Sequence, residues 1–373
     1  IIEVVERART EFVGTVQRMK KFAFVIPDNS RIHVDFFVTL DNMNKAKDGD
    51  KVVVELLDWP IGTPNPYGLV TSILGKAGEH DTEMHAIVAE FGFKVDFEPN
   101  VLADAEAFPD TISKEEISKR KDFRKTLTFT IDPVDAKDFD DAISYKVLDN
   151  GNFEIGVHIA DVSHFVRQNS ALDDEAYDRA TSVYLVDRTI PMLPERISNH
   201  LCSLKPNVDR LAFAVIFELD KNADMVNYWV GKTVIHSDRR FSYEEAQEVI
   251  EGNSNEYKKE IQQLNALALK LRSQRFKSGA ISFESDEYRF TLDENGKPLE
   301  VIKKERKEAH KMIEDYMLLA NKTVAKHVYT KIKKTLPYRV HESPNVEKMA
   351  FFIQTAKKFG YLIDTKSHET ISA

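Results

Sequence analysis

Five aspartates fall within the thirteen residues Thr130–Ala142, TIDPVDAKDFDDA. Asp132 closes an apolar run that includes Leu127, Phe129 and Ile131; Asp138, Asp140 and Asp141 lead into another with Ile143, Tyr145 and Val147. Both flanks alternate like half-buried strands. Pro133 favours a turn directly after Asp132, with Asp135 and Ala136 at its tip. A chain that doubles back there brings four carboxylates together at the ends of two strands. Like charges in a partly dry site repel, so the group must take up protons or share a cation. All-oxygen ligands suit a hard ion, Mg²⁺ with Mn²⁺ as the alternative, better than zinc. A solvated acidic loop is the competing reading, and the apolar flanks weigh against it. A calcium loop of the EF-hand type needs D-x-[DN]-x-[DN]-G and a later glutamate, a spacing that is absent here.

The rest of the chain must position those carboxylates. With 373 residues, 42% of them hydrophobic, it can bury sizeable cores and suggests two or three domains. A net charge of -9 does not advertise a nucleic-acid binder, so any basic face must be local. One cysteine, Cys202, excludes internal disulfides and fits the reducing cytoplasm. No apolar run approaches the roughly 18 residues that span a membrane, and no signal peptide opens the chain. The chain begins inside a strand-like IIEVV, which reads as an excerpt of a longer protein.

The first 75 residues hold five short β-rich runs: EFVGTVQRM, KFAFVIPD, IHVDFFV, DKVVVELLD and YGLVTSILG. Five strands at this spacing predict a small closed barrel of the OB type. Alternation puts Phe22 and Phe24 on one face beside Lys20 and Lys21; Phe37 joins them from the third run, with Phe36 as a further candidate. Such rings serve as barrel core or as a stacking platform for bases, with the lysines as phosphate partners. The shared face favours stacking. Beyond the barrel, DTEMHAIVAEFGF predicts a short helix, FEPNVLADAEAFPD a connector, and TISKEEISKRKDF a helix capped by Thr111 or Ser113. The basic SKRKDFRK stretch is a solvated helical face or, less in keeping with its pattern, a phosphate contact.

KKFAFVIPDN followed by DFFV resembles the paired RNA-binding motifs of a cold-shock domain. TIDPVDAKDFDDAISY, GVHIADVSHFV, TSVYLVDRTIPMLPERISNHLCSLKPNVDRLAF, GAISFES and AHKMIEDYMLLAN, in that order, resemble the RNB catalytic domain of the RNase II / RNase R family, more closely on the RNase R side. The fold implied is α+β: a five-stranded cold-shock OB barrel, then a mixed α/β RNB domain truncated at its C-terminal end. Residues 1–8 would be the last strand of a preceding cold-shock domain, 9–78 the barrel, 79–115 a connector and 116–373 the incomplete RNB domain.

The resemblance implies an exoribonuclease that hydrolyses RNA from its 3′ end to nucleoside 5′-monophosphates with magnesium and little regard for sequence. It implies single-stranded RNA or a 3′ overhang as substrate, and a monomer in the cytoplasm. Asp132, Asp138, Asp140 and Asp141 match the family's catalytic and metal-binding aspartates, and Asp140 matches the one on which cleavage depends most. Tyr184 matches a tyrosine that stacks on the terminal base, Phe283 a phenylalanine on the other side of the last bases, and Glu314 a glutamate lining the same end of the channel. Glu314 sits on a helix whose polar stripe includes His310 and Asn321, which reads equally as a satisfied core network. The family's phosphate-binding arginine motif is expected beyond residue 373, so this chain alone should cleave about a hundredfold more slowly than the intact protein. Two other readings are a non-catalytic RNA-binding module and a metal-dependent endonuclease or phosphatase.

Overall fold

The computed structural model describes residue 7 and residues 9–281, 286–294, 296–340, 342 and 344–363. The chain forms two compact units: Ile1–Leu102, Asp173–Leu193 and Arg289–Ile302 make the first, and Ala103–Leu172, Pro194–Tyr288 and Lys303–Ala373 the second. The folded chain returns twice to the first unit after leaving it. Those two excursions carry the short strand pairs Val183–Tyr184 with Thr189–Ile190 and Tyr288–Leu292 with Pro298–Lys303.

In the first unit, β1 (Glu11–Arg18), β2 (Phe22–Pro27), β3 (Phe36–Thr39), β4 (Asp50–Asp58) and β5 (Tyr67–Lys76) close into a barrel in the order β1-β2-β3-β5-β4. Every pairing is antiparallel except β3 with β5, a parallel closure at Phe37 and Tyr67. Period-two alternation fills the interior with Val16, Ala23, Val25, Phe36, Val38, Val52, Val54 and Val70. Phe36 is therefore core, and its neighbour Phe37 faces outward. Helix α1 (His80–Glu90) follows. The segment read as a connector contains the helix Pro99–Glu106, where proline at the first position and the run Val-Leu-Ala favour helix.

The second unit is built on a seven-stranded sheet. Its strands are β6 (Lys121–Asp122), β7 (Thr128–Asp132), β8 (Asp141–Val147), β9 (Phe153–Ala160), β10 (Asp209–Leu219), β11 (Met225–His236) and β12 (Arg239–Ser242), ordered β12-β7-β8-β9-β10-β11-β6. The two outer pairings are parallel and the inner ones antiparallel. Three helices, α2 (Tyr243–Glu251), α3 (Lys258–Lys277) and α4 (Glu308–His327), cover one face. Phe129, Ile131, Ile143, Phe217 and Phe241 of the sheet pack with Val249, Leu264, Met312 and Tyr316 of the helices. The buried Tyr316 hydroxyl donates to the Leu264 carbonyl at 2.8 Å, and buried Asp315 accepts from Arg272 and Arg275 at 2.8 and 2.7 Å.

Ser113 does cap the helix Lys114–Ser118, accepting from the Glu116 amide at 3.1 Å. The basic stretch after it is neither solvated nor open to phosphate throughout. Arg120 is buried and paired with Asp161 at 2.6 Å and Glu116 at 2.7 Å, and Arg124 is paired with Asp122 and Asp209.

His158, buried in β9, lies between the Ser144 and Thr233 hydroxyls at 2.9 and 3.2 Å. The neighbouring Gly156 leaves the room for this, since a Cβ there would collide with Ser144 Oγ and His158 Nε2. Burial pushes the imidazole down to about 3. A histidine held neutral in the fold and free to protonate when unfolded contributes its full stability above about pH 6.5; that contribution falls by about 1.4 kcal/mol per pH unit as the pH drops toward 3. His158→Gln should therefore destabilise the protein at pH 7, and the gap from wild type should close by pH 4. Denaturant unfolding at the two pH values checks this, and a gap that is constant with pH would contradict a neutral buried imidazole.

Candidate active site and nucleic-acid surface

β7 ends at Asp132 and β8 begins at Asp141, so the strand pair itself carries two of the four carboxylates to one end. The intervening loop opens with the expected turn, the Ala136 amide donating to the Pro133 carbonyl at 3.1 Å. Asp135 lies exposed near its tip. Asp132 is only 7% exposed; its Oδ2 and the buried Thr130 hydroxyl each lack a hydrogen bond of full geometry, although the hydroxyl lies near enough to act on the carboxyl.

Burial is the largest influence on these acids. It pushes Asp132 up to about 6, the Thr130 hydroxyl and the Arg240 guanidinium pulling it part of the way back and the charges of Asp140 and Asp138 adding to the rise. Burial and then Asp132 and Asp140 push Asp141 up to about 7. Asp140 keeps an exposed flank, yet desolvation and the charge of Asp138 raise its carboxyl as well. Asp132, Asp140 and Asp141 thus each respond to the charge of a neighbouring aspartate. They do not form a finished cage: among the described residues no three His, Cys, Asp or Glu side chains gather closely enough to hold an ion. The unsatisfied Asp132 oxygen and the all-carboxylate donor set fit a hard divalent cation.

Residues distant in sequence brace the loop. Ser203, 1% exposed, donates from Oγ to the Lys137 carbonyl at 3.0 Å and accepts from the Phe139 amide at 3.0 Å, so one hydroxyl bridges the two neighbours of Asp138. The Leu204 amide donates to the Phe139 carbonyl at 2.8 Å, and the Ala160 amide to the Asp140 carbonyl at 2.9 Å. On the other side, β12 runs parallel to β7 with Ser242 opposite Asp132. That register brings Arg240 to the Pro133 carbonyl, to which it donates, and over the Phe139 ring at 5.5 Å. The Tyr243 hydroxyl is pushed up to about 12 by burial and then by the charges of Asp141 and Asp132, and its ring stacks on His310 with centroids 4.0 Å apart. Ser203, Arg240 and Tyr243 escape a local reading: each is an ordinary serine, arginine or tyrosine until the sheet order brings it to the loop.

The other expected site residues sort as follows. Phe22, Phe24 and Phe37 form one outer cluster with centroids 5.3–6.1 Å apart, beside exposed Lys20 and Lys21. Tyr67, which the sequence reading does not single out, extends it with its ring 5.4 Å from Phe37. Tyr184 belongs to the first unit and is 69% exposed. Phe283 lies outside the described residues. Glu314, on α4, is paired with Arg306 and, at 3.8 Å, with Arg275; Asn321 is exposed and His310 is held by Tyr243.

Residues 120–372, more than half of the chain, match the RNB domain family. The chain belongs to the RNB family. Residues 24–98 match the cold-shock domain family. Ribonuclease R of Thermotoga maritima is 41% identical over 355 residues, covering 93% of this chain and 50% of that protein. The inactive exonuclease DIS3L2 of Arabidopsis thaliana is 35% identical over 345 residues, covering 88% and 33%. The solved structure of Mycoplasma genitalium RNase R in complex with double-stranded RNA superposes with a TM-score of 0.91 at 27% identity, over all of this chain and 67% of that one. The RNB chain spans about half the length of the curated relatives it matches. Among the described residues no helix is long and apolar enough to cross a membrane.

Mg²⁺ should raise the melting temperature of the wild-type chain, and Asp132→Asn should remove most of that rise. Ser203→Ala leaves a buried amide and carbonyl without their partner, a loss of about 1–3 kcal/mol or roughly 2–6 °C in the magnesium-free melt. Calorimetry with and without Mg²⁺ reads both. A magnesium response of full size in Asp132→Asn would remove that carboxylate from the ion site.

Proposed function

We propose that this chain is the catalytic portion of a magnesium-dependent 3′-to-5′ exoribonuclease of the RNase R type, acting on single-stranded RNA or a 3′ overhang and releasing nucleoside 5′-monophosphates. The observation that carries this reading is the buried, unsatisfied Asp132 oxygen inside a group of four neighbouring carboxylates, three of which burial makes hard to ionise. Such a group has little use in a module that only binds. One relative carries the name of an inactive exonuclease, so family membership alone does not imply cleavage; the four aspartates of this chain argue for it.

Asp132, Asp138 and Asp141 would hold magnesium, with Asp140 beside the reacting phosphate. When bound, the metal supplies a water activated at neutral pH and charge compensation for the departing 3′ oxygen. The chain's own residues do the positioning. Ser203 and the Leu204 amide fix the loop that carries Asp138 and Asp140, and Arg240 ties down the turn after Asp132. Cys202, close by, has its thiol pushed up to about 12 by burial, so it is no nucleophile. Tyr184 offers an exposed ring for the terminal base. The Phe22, Phe24, Phe37 and Tyr67 cluster, with Lys20 and Lys21 beside it, offers bases a sequence-tolerant platform and phosphates a partner. A monomer working in the reducing cytoplasm completes the reading.

Two experiments on the full-length enzyme test it. Asp140→Asn should abolish degradation of a 5′-labelled single-stranded RNA in Mg²⁺ while RNA affinity stays within about threefold, because phosphate and stacking contacts elsewhere supply binding. A variant that degrades RNA within a few-fold of the wild-type rate would overturn the assignment. Tyr184→Ala should lengthen the smallest end product by about one nucleotide while long RNA is still consumed, since short ends have few contacts besides stacking. Unchanged product lengths on a denaturing gel would make Tyr184 a structural residue.

A further inference from the structure

We infer that the mouth of the barrel holds a second nucleotide site, in which one RNA base stacks on Trp59 and the adjoining phosphate is taken by Arg31 and His33. The inference rests on the RNA-binding reading above and adds a site to it. The mouth encloses a cavity of about 340 Å³. Its floor is apolar, Phe12 lying against Phe36 with centroids 5.0 Å apart. Its rim is basic: Arg7, Arg9, Arg31 and His33 contribute, and among the described residues no carboxylate lines it, in a chain whose net charge is -9.

The basic groups are not equivalent. Arg9 is engaged by Glu90 at 2.8 Å and lies over the Phe12 ring. Arg31 and His33 are exposed, and among the described residues their side chains make no ion pair or hydrogen bond. Trp59 follows the end of β4 and is 41% exposed. Its indole nitrogen donates to the Thr63 carbonyl at 3.2 Å, which fixes the ring plane and leaves ring surface open. A flat ring over an ordered indole, with the Arg31 guanidinium and the His33 ring nitrogens at the rim as donors, is the chemistry that takes a nucleotide: stacking for the base, charge and hydrogen bonds for the phosphate. The site and the outer platform meet in the chain at the start of β5. Pro66 lines the mouth and the next residue, Tyr67, is the last ring of the Phe22–Phe24–Phe37 cluster.

The test uses full-length protein labelled with 5-fluorotryptophan, in chelator so that RNA stays intact, with the Trp59 resonance identified by its loss in Trp59→Phe. Adding a single-stranded oligoribonucleotide should shift the Trp59 resonance saturably. Arg31→Ala combined with His33→Ala should weaken that titration about tenfold, whereas Phe22→Ala with Phe24→Ala should leave the Trp59 shift reachable at higher RNA. Trp59→Ala should lower affinity about fivefold or more, the usual loss for one stacked base. An unmoved Trp59 resonance at RNA concentrations that saturate fluorescence anisotropy would overturn the second site while sparing the RNA-binding reading. A melting temperature lowered by Arg31→Ala with RNA affinity unchanged would also overturn it, assigning the mouth to a protein segment. Absence of any RNA binding by wild type would overturn the underlying reading and this site with it.

Discussion

Electrostatic repulsion among Asp132, Asp138, Asp140 and Asp141 is the constraint around which the second unit is arranged. Left to itself, a loop of this composition would stay in water, where the charges are screened and solvated. The sheet instead draws Asp132 and Asp141 to the ends of two inner strands and partly dries them, so that their carboxyls rise to about 6 and 7. Something must oppose the tendency of such a loop to spring open. Part of that opposition is neutral: the Ser203 hydroxyl and the Leu204 and Ala160 amides bind loop backbone, not carboxylate oxygens. Part is charged, through Arg240, which sits close enough to lower Asp132 yet spends a hydrogen bond on the Pro133 carbonyl. The acids are thereby held near one another with their own oxygens still available.

The first unit solves a different problem with aromatic rings. Strand alternation sends Ala23, Val25 and Phe36 inward, which is enough to fill a small barrel. The rings left outside, Phe22, Phe24, Phe37 and Tyr67, touch one another across three strands and shield one another from water in the process. Closure and surface share a residue pair, because the only parallel contact of the barrel joins Phe37 to Tyr67. A change that loosens the closure would disturb the platform as well.

The sequence announces these features wherever neighbours in the chain are neighbours in space. The five barrel strands, the division of Phe22 and Phe24 from Ala23 and Val25, the turn at Pro133 and the helix Glu308–His327 all follow from period and turn chemistry. Motif order likewise identifies the RNB domain. Long-range partnerships are not written locally. Nothing around Arg240 marks it as a partner of residue 133, and Arg120 reads as one more surface cation until Asp161 is found against it. The division into units is hidden for the same reason: the strand pairs at 183–190 and 288–303 lie far along the chain from the barrel whose unit they join. Phe36 and Phe37 show the limit of a composition argument, since one residue of register decides which is core and which is surface.

The bracing of the aspartate loop also sets an order of events during synthesis. The strand pair β7–β8 is local and can form as soon as it clears the ribosome. Ser203 enters 64 residues after the Phe139 amide it binds, and Arg240 enters 107 residues after Pro133. Until both have emerged the acidic loop lacks its clamps and stays solvated, so a nascent chain cannot assemble the candidate centre early.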